Sequence, residues 1–147
     1  MKDLPELYKD LQKYSNFGIP ENIDKFLETI DMIALKKDPA CIGELIKYFD
    51  DNTEYSWVLT SLRKTIEKFD RKDYINTILK NLNFLVSSTP SWADEIVNSI
   101  FNNEEDKNYF WTHISLTSKD ALLKLFEIME KESPHHKDLI NKLKQEL

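Results

Sequence analysis

The sequence has few of the residues that form tight turns and phosphate-binding loops. Only two of its 147 residues are glycine, Gly18 and Gly43, and glycine best tolerates the positive φ that hairpin turns and nucleotide-binding loops require. The single cysteine, Cys41, excludes an internal disulfide and a metal site built from several thiolates. The sequence therefore argues against a β-rich fold and a nucleotide-binding loop, and it favours a reducing compartment.

Long apolar runs are also missing. The chain starts with the residues Met1-Lys2-Asp3-Leu4-Pro5, which lack the apolar stretch of a signal peptide. No segment approaches the ~20 apolar residues that span a bilayer. We therefore expect a cytoplasmic protein that does not enter a membrane.

The charge balance is acidic. The chain carries 20 Lys and Arg against 26 Asp and Glu, for a net charge of −6. This charge repels phosphate backbones, so we expect no direct binding of nucleic acid. A basic protein is the better partner, because complementary fields speed encounter and select partners.

Apolar residues recur with the spacing of amphipathic helices. Cys41, Ile42, Leu45, Ile46 and Phe49 form one such stripe, and similar stripes start at positions 26, 58, 74, 92 and 121. Two consecutive stripes span a distance along the chain that is typical of helical-hairpin repeats. We therefore predict an all-α fold, a single domain of about eight or nine helices over residues 1–147, stacked as antiparallel hairpins in a short HEAT-like or armadillo-like α-solenoid. The predicted helices cover residues 3–14, 20–36, 39–49, 54–69, 71–86, 90–102, 105–115, 118–131 and 134–146.

Predicted capping residues support the starts of several of these helices. Asp38, Thr89 and Ser133 each precede a proline, which favours a helix start at that point. Asp70 and Ser118 are further predicted caps.

No residue pattern predicts catalysis, a metal site or a cofactor. His135 and His136 are adjacent and His113 is distant in sequence, so none has the spacing of a zinc helix. The chain has no Gly-x-Ser-x-Gly motif, and Cys41 lies inside an apolar stripe, which is typical of an inert buried thiol. We predict a protein that is not an enzyme. An enzyme acting on nucleotides or small metabolites stays open only because helical folds can build sites without motifs.

Acidic side chains concentrate at two predicted helix junctions, each beside aromatic residues. In a stacked array, alternate junctions line one edge, so these acids are predicted to form an acidic margin with aromatic anchors. The structural alternative is that acids favour helix N-termini and aromatics favour the core. Trp92 is a further candidate to pack at the interface, but it is the weakest one, because its apolar stripe also makes it a natural core residue. The predicted partner-binding residues are Asp50, Asp51, Glu54, Tyr55, Trp57, Asp94, Glu95, Glu104, Glu105, Asp106, Tyr109 and Trp111.

Two segments resemble known families. Residues 38–51, which begin Asp-Pro and end in two acids, resemble the opening of a HEAT-type repeat. The order of Phe69-Asp70, Pro90-Ser91-Trp92-Ala93 and the helix from Ile96 to Glu104 resembles the immunity protein 30 family over roughly residues 25 to 110. Ser99 stands where the family pattern favours an arginine, and the first helix and the C-terminal third show no likeness.

The resemblance implies a cytoplasmic immunity protein of a contact-dependent growth inhibition or other polymorphic toxin system. Such a protein binds the C-terminal toxin domain of a cognate effector, often a nuclease, and neutralises it in a one-to-one complex. An acidic inhibitor suits a basic nuclease, because it can mimic the charge of the substrate. The alternative function is a HEAT-like scaffold or adaptor that binds a peptide or another protein in its concave groove.

Overall fold

The computed structural model describes residues 2–129 together with Asn141 and Gln145. Residues 2–129 form nine α-helices and contain no strand, which confirms the all-α prediction. The helices are α1 (Leu4–Lys13), α2 (Pro20–Leu35), α3 (Ala40–Ile46), α4 (Ser56–Ile66), α5 (Arg71–Lys80), α6 (Leu82–Ser88), α7 (Pro90–Phe101), α8 (Glu104–His113) and α9 (Leu116–Met129).

Short polar side chains fix several helix starts. The carboxylate of Asp3 accepts a hydrogen bond from the backbone N–H of Glu6 at 3.0 Å, which caps α1. The predicted cap Asp70 likewise accepts from the N–H of Asp73 at 3.1 Å, at the start of α5. These bonds satisfy N–H groups that have no partner inside the helix.

One predicted cap is right in position but forms no side-chain cap bond, and another is wrong. Thr89 occupies the cap position of α7, but its hydroxyl donates to the carbonyl of Leu85 at 3.2 Å and forms no cap bond. Ser118 lies inside α9, and Ser115 is the cap, since its hydroxyl oxygen accepts from the N–H of Ser118 at 3.1 Å. The predicted cap Ser133 lies outside the described residues.

The predicted helix over residues 71–86 is two helices, α5 and α6, which are separated at Asn81. The side-chain amide of Asn81 donates to the carbonyl of Thr77 at 2.8 Å. Asparagine side chains often compete with the backbone in this way, which ends helices. The predicted helix over residues 134–146 lies outside the described residues apart from Asn141 and Gln145.

Contacts within the chain divide it into two compact units, unit 1 (Met1–Tyr74) and unit 2 (Ile75–Leu147). In unit 1, α2, α3 and α4 pack against one another, and α1 packs on α2. In unit 2, α6, α7 and α9 pack against one another, and α8 packs on α7. Each unit therefore contains three mutually packed helices with a fourth on one of them, and the boundary between the units falls within α5. A HEAT-like stack and a single domain stay predictions.

The buried residues follow the predicted apolar stripes. All five residues of the stripe on α3, from Cys41 to Phe49, are buried, as are the stripes on α4 and α7. The stripe that starts at Tyr74 stays buried through Leu82, across the break at Asn81. Helical periodicity therefore identified much of the core.

The stripe that starts at Phe26 is an exception, since Leu27 and Ala34 are only half-buried. Buried residues such as Ile33 and Phe110 also lie outside every predicted stripe.

We expect Phe26→Ala to lower the free energy of unfolding by about 3–5 kcal/mol, because the side chain is fully buried and its removal leaves a cavity. Leu35→Ala on the same helix is the control, since Leu35 is 78 % exposed and surface substitutions usually change stability by no more than about 0.5 kcal/mol. Urea unfolding measures both values. Equal losses in the two variants would contradict the burial assigned to Phe26.

Candidate protein-binding site

The first predicted junction is the connection between α3 and α4 in unit 1. The carboxylate of Asp50 accepts from the backbone N–H of Asn52 at 2.9 Å, and the hydroxyl of Thr53 accepts from the N–H of Tyr55 at 3.0 Å. These bonds hold the connection in one conformation. Asp50 and Glu54 are exposed, and Asp51 is half-buried. The junction therefore presents carboxylates to solvent on an ordered backbone.

This junction borders a groove of about 430 Å³, which we name groove A. Its lining consists of residues 15–18 before α2, residues 47–50 at the end of α3, residues 53–55 and Leu59. Three of the predicted site residues, Asp50, Glu54 and Tyr55, line it. The α1–α2 and α3–α4 connections therefore meet at one edge of unit 1.

An aromatic cluster forms the wall of groove A. The ring centroids of Phe17 and Tyr55 lie 6.3 Å apart, and both rings are half-buried. Phe26, fully buried, packs edge-on against Phe17 at 4.9 Å and against Tyr48 at 5.8 Å. Burial raises the pKa of Tyr48, and the nearby carboxylate of Glu44 raises it further. The phenol of Tyr48 is therefore neutral at physiological pH.

Sequence reasoning missed Phe17 and Tyr48 as groove residues. Tyr48 falls outside the apolar stripe of α3, and Phe17 falls in a predicted connection. Both are aromatic residues outside any amphipathic stripe, and that position could have indicated a role at the surface. Trp57, which was predicted, is 54 % exposed in the first turn of α4.

The second predicted junction lies in unit 2, at the start of α8. Glu104, Glu105 and Asp106 occupy the first turn of this helix. The side chain of Asn103 caps it by accepting from the N–H of Asp106 at 3.0 Å. Negative side chains in the first turn also stabilise a helix through its dipole. These acids therefore have a structural role that does not require a partner.

The two aromatic residues of this junction are held by neighbours in unit 2. The ring of Tyr109 stacks on His113 with centroids 3.9 Å apart, and its hydroxyl accepts from the amide of Asn76 at 2.9 Å. Trp111 stacks on Phe101 with centroids 5.7 Å apart. Both predicted anchors are half-buried and contribute to packing.

The remaining predicted residues lie on α7. Glu95 is exposed and Asp94 is half-buried. Trp92 is 6 % exposed, which confirms its interpretation as a core residue. Seven of the twelve predicted residues thus belong to unit 2 and five to unit 1.

Two further grooves have different linings. One in unit 1, groove B, measures about 630 Å³ and lies where α2 and α4 end, with Leu35 and Phe69 among its apolar residues. Its three aspartates are accompanied by two lysines, Lys37 and Lys68. Another, of about 380 Å³ in unit 2, is lined by polar residues that include Lys80 and His113. Neither contains a predicted partner-binding residue.

The one thiol is buried in unit 1. Cys41 accepts a hydrogen bond from the hydroxyl of Tyr8 at 3.2 Å. Burial raises the pKa of the thiol, and the carboxylates of Asp38 and Glu44 add to this rise, although the bond from Tyr8 opposes it. The thiol is therefore a poor nucleophile.

His113 is the one histidine within residues 2–129. This part of the chain contains no group of three or more His, Cys, Asp or Glu side chains that could hold a metal ion. The exposed His113 bonds through its Nδ1 to the carbonyl of Tyr109 at 2.9 Å, and His135 and His136 lie outside the described residues. None of the described helices has the length and apolar character needed to cross a membrane.

Residues 2–129 are helical, and their surface presents carboxylates beside aromatic side chains. Comparison with known families gives the class of protein, an immunity protein. The sequence model of a family, immunity protein 30, matches residues 14–110. This match covers about two thirds of the chain, from the end of α1 into α8. The chain therefore belongs to the immunity protein 30 family, as the resemblance predicted. No curated protein and no solved structure matches the chain.

We expect Cys41 to resist alkylation in the folded protein. Its raised pKa keeps the thiol protonated at pH 8 and its burial excludes the reagent, so iodoacetamide should react at least about 100-fold more slowly than in 8 M urea. Mass spectrometry of timed samples measures the rate. Equal rates in the two conditions would contradict the burial.

We expect Asn103→Ala to lower the free energy of unfolding by about 1 kcal/mol, because it removes the cap bond to Asp106. Asn103→Asp retains an oxygen acceptor at the same position and serves as the matched control. Urea unfolding distinguishes the variants. If the alanine variant is as stable as the aspartate variant, the cap has no energetic role.

Proposed function

We propose that this immunity protein neutralises a basic toxin domain, a nuclease at the C-terminal end of a larger effector, in a one-to-one complex. The effector would belong to a contact-dependent growth inhibition system or a related polymorphic toxin system. The complex would form in the cytoplasm, where the nucleic-acid substrate of the toxin is found.

Family membership is the observation that carries this proposal, because members of an immunity family protect the cell that makes the toxin. The net charge of −6 supports the choice of a basic partner. Exposed carboxylates occur at both junctions and on α7, including those of Glu54, Glu95 and Glu104. Their field attracts a positively charged protein and speeds its association.

Charge mimicry explains how an inhibitor without a catalytic site could act on a nuclease. A nuclease holds the phosphate backbone of its substrate with lysine and arginine side chains. Carboxylates of the immunity protein can pair with those cations, while aromatic side chains exclude water around the pairs. Substrate and inhibitor would then compete for one surface.

The proposal is tested with the product of the gene immediately upstream. Co-expression of this protein should restore growth of cells that produce the toxin domain, and the two proteins should co-purify in equal amounts. The association rate should fall by about tenfold or more as salt rises from 50 to 500 mM, because salt screens steering charges. Growth arrest with no co-purification would overturn the proposal.

A separate assay tests whether the toxin domain is a nuclease. Purified toxin domain should degrade DNA or RNA, and an equimolar amount of this protein should stop the degradation. A toxin that arrests growth, binds this protein and leaves both nucleic acids intact would overturn the nuclease assignment alone.

A further inference from the structure

Groove A combines carboxylates with accessible aromatic rings. Glu54 is exposed and makes no ion pair with any described residue, and the carboxylate of Asp50 lies in the same lining. Lys47 also lines the groove, but its ammonium pairs with Glu44 at 3.1 Å. Because Glu44 is not a lining residue, this pair offsets part of the positive charge of Lys47 without using a carboxylate of the groove. The groove therefore has a negative character that a cation would complement.

The rings of groove A are positioned by core packing. Phe26 lies beneath Phe17 and Tyr48, and Phe17 in turn contacts Tyr55. The hydroxyls of Tyr48 and Tyr55 form no hydrogen bond within the described part of the chain, and both rings are half-buried. They therefore offer ring surface and hydroxyl groups without first breaking an internal bond, which lowers the cost of binding.

These groups match a guanidinium better than an ammonium. A guanidinium is planar, stacks on aromatic rings and donates two parallel hydrogen bonds to a carboxylate. A lysine ammonium is more strongly hydrated and lacks the planar fork. Groove B is less suitable, because its two lysines lie among its carboxylates and its lining has one aromatic residue, the buried Phe69.

We propose that groove A is the anchor point of the complex and that it receives an arginine side chain of the toxin domain. This inference rests on the proposed function. The guanidinium pairs with Glu54 and Asp50 and packs against the rings of Tyr55 and Tyr48. The second junction differs, since the hydroxyl of Tyr109 already accepts a hydrogen bond from Asn76 within unit 2.

The first test uses a small probe and the full-length protein alone. Acetyl-arginine amide is titrated while NMR records the tyrosine and backbone signals, and acetyl-citrulline amide, which has the same shape without the charge, is the control. The arginine probe should shift the signals of Tyr48, Glu54 and Tyr55 more than those of Tyr109, and the citrulline probe should not. Equal shifts with the two probes, or none at groove A, would overturn the inference.

The second test measures the complex. Glu54→Gln should raise the dissociation constant for the upstream toxin domain by about tenfold or more, mainly through faster dissociation. Glu28→Gln removes the same charge from an exposed position on α2 outside the groove, and it should change the constant by less than about threefold. Circular dichroism and urea unfolding verify that both variants remain folded.

A double-mutant cycle identifies the arginine. Each arginine of the toxin domain is changed to lysine, and one such change should lose most of its effect when Glu54 is already glutamine. If wild-type protein binds and Glu54→Gln weakens binding no more than Glu28→Gln, the inference fails while the proposed function stands. If wild-type protein does not bind, both fail.

Discussion

The packing of Phe26 connects the interior of unit 1 with its surface. This ring is fully buried on α2, and it contacts one aromatic residue before α2 and another at the end of α3. An aromatic side chain contributes a large apolar area and prefers the edge-on geometry seen here. The positions of Phe17 and Tyr48 therefore follow from the same burial that stabilises the unit. The wall of groove A is a direct product of core formation.

The direction of α2 and α4 determines where their positive N-terminal ends lie in unit 1. Both α2 and α4 begin within a few residues of groove A and end near groove B, so they run in the same direction. The N-terminal end of a helix carries about half a positive charge. Two such ends near Asp50 and Glu54 offset part of the repulsion between carboxylates. The fold can therefore gather acidic groups at this edge without a large loss of stability.

The sequence predicted much of the helical core, because burial imposes a period that is visible in the chain. The stripes on α3, α4 and α7 were predicted and are buried. The break at Asn81 was missed, since the apolar period continues through it and gives no sign of a new helix. The misassigned cap at Ser118 has a different cause, because Ser115 and Ser118 are both plausible caps and three-dimensional packing selects one of them.

The candidate site was predictable in part. Acids at helix starts are visible as clusters, and Asp50, Glu54 and Tyr55 were identified from such a cluster. Groove A itself was not visible, because it forms where two connections separated by about thirty residues of chain meet. Phe17 belongs to the first of these connections and Tyr55 to the second. Nothing in either local pattern indicates that the other is adjacent.

The division between helices and connections has an evolutionary consequence. Most of the lining of groove A comes from connections, whereas the apolar stripes that hold unit 1 together lie on the helices. Substitutions at exposed connection residues such as Asn16 or Glu54 change the chemistry of the groove and leave the stripes intact. The chemistry of the groove can therefore change by substitution at a few surface positions, while selection for folding acts on a separate set of residues.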